Sequence, residues 1–245
     1  MSDLSPNPTN PGRQVPANDP SGQPANDQLA QPAGAFPAHA FRRQDETPDT
    51  AFYAFPRFVT HIDDAAIAAV TQLYREYFRS NTHLLDLMSS WVSHLPPDVA
   101  YASVTGLGLN AAELARNPRL STALVQDLNQ TPALPFADQE FDGAAICVSI
   151  DYLTQPVAVL RELARVLRPG APLVVTFSNR CFPSKAVRVW LETDDEQHLD
   201  LIESWMLEAG NWAGIEKLDR SPGKHGSRFG DPLWAVVGRA VKRVL

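Results

Sequence analysis

The chain has 245 residues, 44% of them hydrophobic, and a formal net charge of −7, which suits one α/β domain of ordinary size plus a tail. The negative charge argues against nucleic acid held by bulk electrostatics, and no apolar run approaches the ~20 residues that span a bilayer. Cys147 and Cys181 provide neither a disulfide framework nor metal-ligand spacing, so no metal is expected and a reducing, cytoplasmic setting is.

Residues 1–50 are rich in Pro, Asn, Gln, Asp and Ala and lack apolar periodicity. Such a segment buries too little surface to offset its ordering entropy, so a disordered leader is expected. It has no apolar core of a secretory signal, and its scattered acids do not suit a transit peptide. The folded domain is expected over residues 51–245. It begins with an aromatic run, residues 52–59 (FYAFPRFV), suited to a core edge or a pocket wall.

Asp63 reads as the N-cap of a helix with Ala66, Val70, Leu73, Tyr74 and Tyr77 on one face. A first strand, 84–87, runs into Met88-Ser89-Ser90-Trp91, where nucleotide-binding chains usually place glycines. A second strand, 102–105, precedes Gly106-Leu107-Gly108-Leu109 and a short helix capped by Asn110 and ended by Pro118. A third strand, 123–126, finishes at Asp127. The fourth, 143–148, is apolar throughout and so buried on both faces. Pro156 opens a helix with Val159, Leu160, Leu163, Val166 and Leu167 on one side, and Pro169-Gly170 stops it. A fifth strand (172–177), helices near 185–191 and 196–209, and strands near 214–218 and 233–239 complete the chain. Strands alternating with helices imply a doubly wound, mostly parallel sheet.

Around the fourth strand stand Leu134-Pro135-Phe136, Asp138, Phe141-Asp142 and, after the following helix, Leu167-Arg168-Pro169-Gly170. With these residues the chain resembles the class I S-adenosylmethionine (SAM)-dependent methyltransferases, in their small-molecule, type 11 branch. The resemblance runs over roughly residues 62–239, with Ala171 in place of a usual second glycine. It implies a Rossmann-like, doubly wound seven-stranded sheet, mostly parallel with the last strand antiparallel, and a ligand at the carboxyl ends of the central strands.

The resemblance also implies SAM as cofactor and a set of residues to hold it. Asp86 would lie beside the methionine end, with Met88 and Ser89 in the first loop. Gly106, Gly108 and Asn110 would face the ribose. Asp127 would accept from the adenine amino group, Leu109 and Leu128 would sandwich the ring, and Ser149 and Ile150 would lie near the sulfonium. Two positions depart from the family's pattern. The first loop lacks glycines, leaving Ser89 and Ser90 to supply donors. Gly108 stands where the family places an acid on the ribose hydroxyls, a role Asn110 would have to cover.

The implied activity is methyl transfer to a small acceptor. Arg180, Arg220, Lys224, His225 and Arg228 should gather on the ligand face, which suggests an anionic acceptor, with Asn179 beside it, or a clamp on the SAM carboxylate. His94, which shares the unusual loop, and Tyr152 are the catalytic candidates. Two other readings stand beside this one. A non-catalytic binding or scaffold relative could have kept the fold after the first loop changed. An NAD-binding protein is suggested by Gly106-Leu107-Gly108 with Asp127 about twenty residues on.

Overall fold

The structure, a computed structural model, describes residues 36–225 and 230–242. Arg228, expected at the acceptor wall, lies outside them.

The domain begins earlier than composition suggests. A 3-10 turn, Ala38–Phe41, and a short helix, α1 (Asp49–Phe52), belong to it, so the expected boundary at residue 51 moves back. The cause is a buried ionic knot rather than an apolar stripe. Lys185 is fully buried, and its ammonium donates to the carbonyls of Thr47 (2.6 Å) and Asp45 (3.2 Å). It also stands 3.4 Å from the carboxylate of Asp49, which takes a two-pronged bond from Arg43 at 2.8 Å. Phe36 meets the buried Trp205 edge-on and Phe41 meets it at a tilt.

The Asp63 carboxylate accepts from the Ala66 amide at 2.9 Å and starts α2 (Asp64–Tyr77) as expected. Then come β1 (His83–Leu87), β2 (Ser103–Gly108), α3 (Ala111–Arg116), β3 (Thr122–Val125) and β4 (Gly143–Cys147). They are followed by α4 (Pro156–Val166), β5 (Pro172–Phe177), α5 (Arg188–Leu191), α6 (Asp195–Ala209), β6 (Trp212–Asp219) and β7 (Trp234–Ala240). The seven strands lie in the order β3-β2-β1-β4-β5-β7-β6. Only β7 runs antiparallel to its neighbours, as the resemblance implied.

Alternation along β1 sends Leu85 and Leu87 to one face, against Leu160, Leu163, Trp205 and Met206 of α4 and α6. Leu84 and Asp86 point to the other face, where Val70, Leu73 and Tyr74 of α2 pack with Val104, Ala145 and Val174. Each fully buried Leu or Val side chain contributes about 1.5–3 kcal/mol. The parallel crossover from β1 to β2, residues 88–102, contains no helix, although such crossovers usually carry one. No helix of the described residues is long and apolar enough to cross a membrane.

Candidate functional site

A cavity of about 330 Å³ opens at the carboxyl ends of β1 to β4. That size falls at the lower end of the ~300–1,000 Å³ common for small-molecule sites. Strand ends supply one wall, through Met88, Gly108, Asp127, Val148 and Ser149. The aromatic run before α2 supplies the opposite wall, through Tyr53, Arg57, Val59 and His61. Met88 (φ 57°), His94 (φ 52°) and Val148 (φ 43°) hold the left-handed backbone that glycine adopts without strain. For a β-branched residue such as Val148 this is a genuine outlier, and strain of this kind concentrates at functional sites.

The loop after β1 is fastened to the protein itself. Ser89 and Ser93 each donate a hydroxyl to the same Asp86 oxygen at 2.6 Å, and the Ser89 amide donates to the Leu107 carbonyl at 2.8 Å. Ser90 donates to Glu113 at 2.6 Å, so none of the three hydroxyl protons is free. Trp91 turns outward, donating to the Val59 carbonyl at 3.0 Å and meeting Phe58 edge-on, which pins the two walls together.

Burial pushes the Asp86 carboxyl up to about 6, against the lowering effect of its serine bonds. The folded state therefore holds this proton more tightly than the unfolded chain. That stabilisation is complete below about pH 4 and is lost as pH rises through 6. A shift of this size corresponds to about 3 kcal/mol. Asp86→Asn should abolish this component in urea denaturation followed from pH 4 to 7. Parallel stability profiles for the two proteins would contradict the assignment.

The space beside Gly106 and Gly108 where a Cβ would stand is filled by protein. Gly106 sits inside the ladder opposite Asp86 and Ala123, and a Cβ there would meet Leu120 Cδ1 at 2.4 Å. A Cβ on Gly108 would meet the Ser89 carbonyl oxygen at 2.1 Å. These glycines admit a neighbouring side chain and a neighbouring backbone, so the dinucleotide-like spacing has a packing explanation. Asn110 lines the cavity, but its amide is committed: the oxygen caps α3 through Ala112 and Glu113, and the nitrogen donates to the Tyr53 carbonyl at 2.8 Å.

Two buried polar atoms on the strand-end wall have no partner, Asp127 Oδ2 and Ser149 Oγ. The other Asp127 oxygen accepts from the Asn129 amide at 2.9 Å, which fixes the carboxylate. Leu109 and Leu128 lie beside it. Buried polar groups are normally paired, and an orphan on a cavity wall marks a place for a ligand.

His94 and Tyr152 both reach the cavity. Burial, and secondarily His61, hold the His94 imidazole below its usual range and so neutral at pH 7. The Tyr152 hydroxyl accepts from the Phe182 amide at 2.9 Å, and burial, then Asp151, pushes its ionisation far up. It retains its proton at any ordinary pH.

Among the expected residues, Ile150 and Asn179 fall elsewhere, and the basic residues are engaged. Ile150 is fully buried in the core because Ser149 leads into a 3-10 turn that carries it inward. Asn179 is exposed and off the cavity wall. Arg180 lines the rim, but its Nε is held by Asp231 at 2.8 Å, and Arg220 pairs with Glu76 at 2.6 Å. The sequence reading missed Arg57, Glu113, Asn129 and Phe182. Only the aromatic run around Arg57 carried a signal for them.

Residues 88–175 match the methyltransferase-domain family model, and the match ends within β5 of this sheet. Over that stretch, about a third of the chain, the sequence is similar to the methyltransferase domain. Its methyltransferase fold is shared with a solved Haloferax volcanii complex of the Trm112 methyltransferase activator with a methyltransferase. That match has TM-score 0.54 and 16% identity, and covers 74% of this chain and 92% of that one. The [4+2]-cyclase SpnF is also similar, at TM-score 0.51 and 17% identity over 71% of this chain and 81% of that one. At 14% identity and TM-score 0.51, so is a Haemonchus contortus phosphoethanolamine N-methyltransferase solved with SAM, over 71% and 52%. A demethylmenaquinone methyltransferase of Mycobacterium sp. (strain KMS) is 47% identical over 53 residues, 20% of this chain. The match spans only 23% of that relative's length.

Proposed function

We propose that the protein is a cytoplasmic methyltransferase that binds SAM in this cavity and methylates a small, ring-bearing acceptor, with no nucleic acid or membrane involved. The observation that carries the reading is the partnerless pair Asp127 Oδ2 and Ser149 Oγ, at the strand ends of a methyltransferase fold. These atoms suit the donors of an adenosine, with Leu109 and Leu128 as apolar faces for its ring. The fit is weaker toward ribose, where Gly108 brings no acid and Asn110 is committed.

When bound, SAM supplies an activated methyl group and its own leaving group. The chain then has to align, exclude water and manage one proton. His94, neutral and half-buried, is the group suited to accept a proton from the acceptor. Tyr152 keeps its proton, so it orients rather than deprotonates. Tyr53, Trp91 and Phe182 give an aromatic wall for a ring. The 53-residue likeness to demethylmenaquinone methyltransferases is consistent with such an acceptor. The anionic acceptor drawn from Arg180 has less support, because Asp231 takes its Nε.

A non-catalytic binding protein is the second reading, favoured by the closed contact of Ser89 on Gly108 and by the two serine hydroxyls that take up Asp86 Oδ2. The likeness to a cyclase is a reminder that this fold hosts other reactions. Calorimetric titration with SAM, S-adenosylhomocysteine and NAD separates the readings. Saturable binding of the first two, with turnover of SAM on phenolic probes, supports the enzyme. Binding without turnover supports the second reading, no heat with SAM or S-adenosylhomocysteine at millimolar ligand overturns the enzyme, and tight NAD binding supports a dinucleotide site. Asp127→Ala should weaken SAM at least about tenfold, since a hydrogen bond to a charged group contributes about 1.5–3 kcal/mol. Unchanged affinity would remove Asp127 from the site.

A further inference from the structure

Glycine-rich turns at helix N-termini present backbone N–H groups to anions. Here the crossover after β1 has no helix, and the serine hydroxyls in the place of those donors are already engaged. A carboxylate-bearing ligand in this cavity therefore needs another cation or donor set.

Arg57 meets that need. It lines the cavity from the wall opposite the strand ends. Its position is fixed at three points: the backbone amide donates to Glu113 at 2.6 Å, Nη2 donates to the Phe52 carbonyl at 2.9 Å, and the guanidinium lies 4.6 Å from the Phe52 ring centroid. The rings of Tyr53 and Phe182 stand at 5.4 and 5.5 Å. Nη1 is buried and has no hydrogen-bond partner. The guanidinium forms no ion pair within the described residues, and Glu113 accepts instead from the Arg57 amide and the Ser90 hydroxyl. An immobilised guanidinium among aromatic rings, with a buried free N–H and no counter-ion, is built for an anion that arrives with the ligand.

We infer that Arg57 clamps the α-carboxylate of the cofactor's amino-acid end, doing from the N-terminal segment what a glycine-rich turn does in relatives. The assignment rests on the SAM reading above. It makes residues 52–61 part of the cofactor site and not merely a cover over it.

The test compares S-adenosylhomocysteine, which carries the carboxylate, with 5′-methylthioadenosine, which lacks the amino-acid end, on wild type, Arg57→Ala and Arg57→Lys. Calorimetry gives the affinities, and ligand-free thermal unfolding checks that each variant folds. Arg57→Ala should weaken S-adenosylhomocysteine by about ten- to a hundredfold and leave methylthioadenosine within about twofold. Arg57→Lys should lose part of that affinity, since an ammonium keeps the charge but not the planar fork. An equal loss for both ligands, or no loss for either, overturns the clamp. So does a wild type that binds the two ligands equally well, a result that leaves the adenosine site standing. If wild type binds neither ligand, the SAM reading fails and the clamp with it.

Discussion

Gly108→Asp should destabilise the protein by about 4 kcal/mol or more and abolish cofactor binding, even though it restores the acid that methyltransferases usually carry there. The Cβ would fall 2.1 Å from the Ser89 carbonyl oxygen and 3.3 Å from Leu114 Cδ2. The first contact is to backbone, which a side-chain rotation cannot relieve. The loop that would have to move is held through Ser89 and Ser93 to Asp86, through Ser90 to Glu113, and through Asn117 to Ser90 and Ser93. The new carboxylate would also meet a carbonyl rather than a donor. Urea denaturation measures the effect. A Gly108→Asp protein as stable as wild type, with tighter SAM binding, would show that the loop opens to admit a ribose acid.

The second large effect is expected at Lys185, whose partner Asp49 also lines the cavity. Lys185→Met should cost about 3–5 kcal/mol, as when one partner of a buried ion pair is removed. The Thr47 and Asp45 carbonyls would lose their donor, and the Asp49 carboxylate would keep Arg43 and Asn129 but lose a second cation. Because α1 leads directly into Tyr53 and Arg57, ligand affinity should fall together with stability. Limited proteolysis should cut residues 36–60 first. A variant with unchanged stability and a protected N-terminal segment would show that Phe36 and Phe41, packed on Trp205, suffice to hold it.

The sheet was legible because its signals are local and periodic. The fifth strand falls at Pro172–Phe177 as expected, Pro156 opens α4, Asp63 caps α2, and Gly143–Cys147 is the buried central strand. The departures come from contacts between distant parts of the chain. Residues 36–50 are polar and proline-rich, and nothing in their composition shows that Lys185 will draw Asp45, Thr47 and Asp49 around it. Gly106 and Gly108 looked like ligand glycines because spacing does not say what fills the space beside them. Leu120 and the Ser89 carbonyl do. The second strand runs on through Gly108, so residues read as a loop are part of the ladder. Asp127, Ser149, Leu109 and Leu128 do reach the cavity, whereas Ile150 and Asn179 do not, because a 3-10 turn and an exposed bend redirect them. The cation wanted at the site was sought in the loop before β7, yet the guanidinium without a counter-ion is Arg57.

The cavity should hold an adenosine-bearing cofactor against the strand ends. In a crystal structure with S-adenosylhomocysteine, ligand density is expected between Leu109 and Leu128, with Asp127 Oδ2 and Ser149 Oγ each within hydrogen-bond distance of the ligand. Density elsewhere on the molecule, or in the cavity with both atoms left unpartnered, would contradict it.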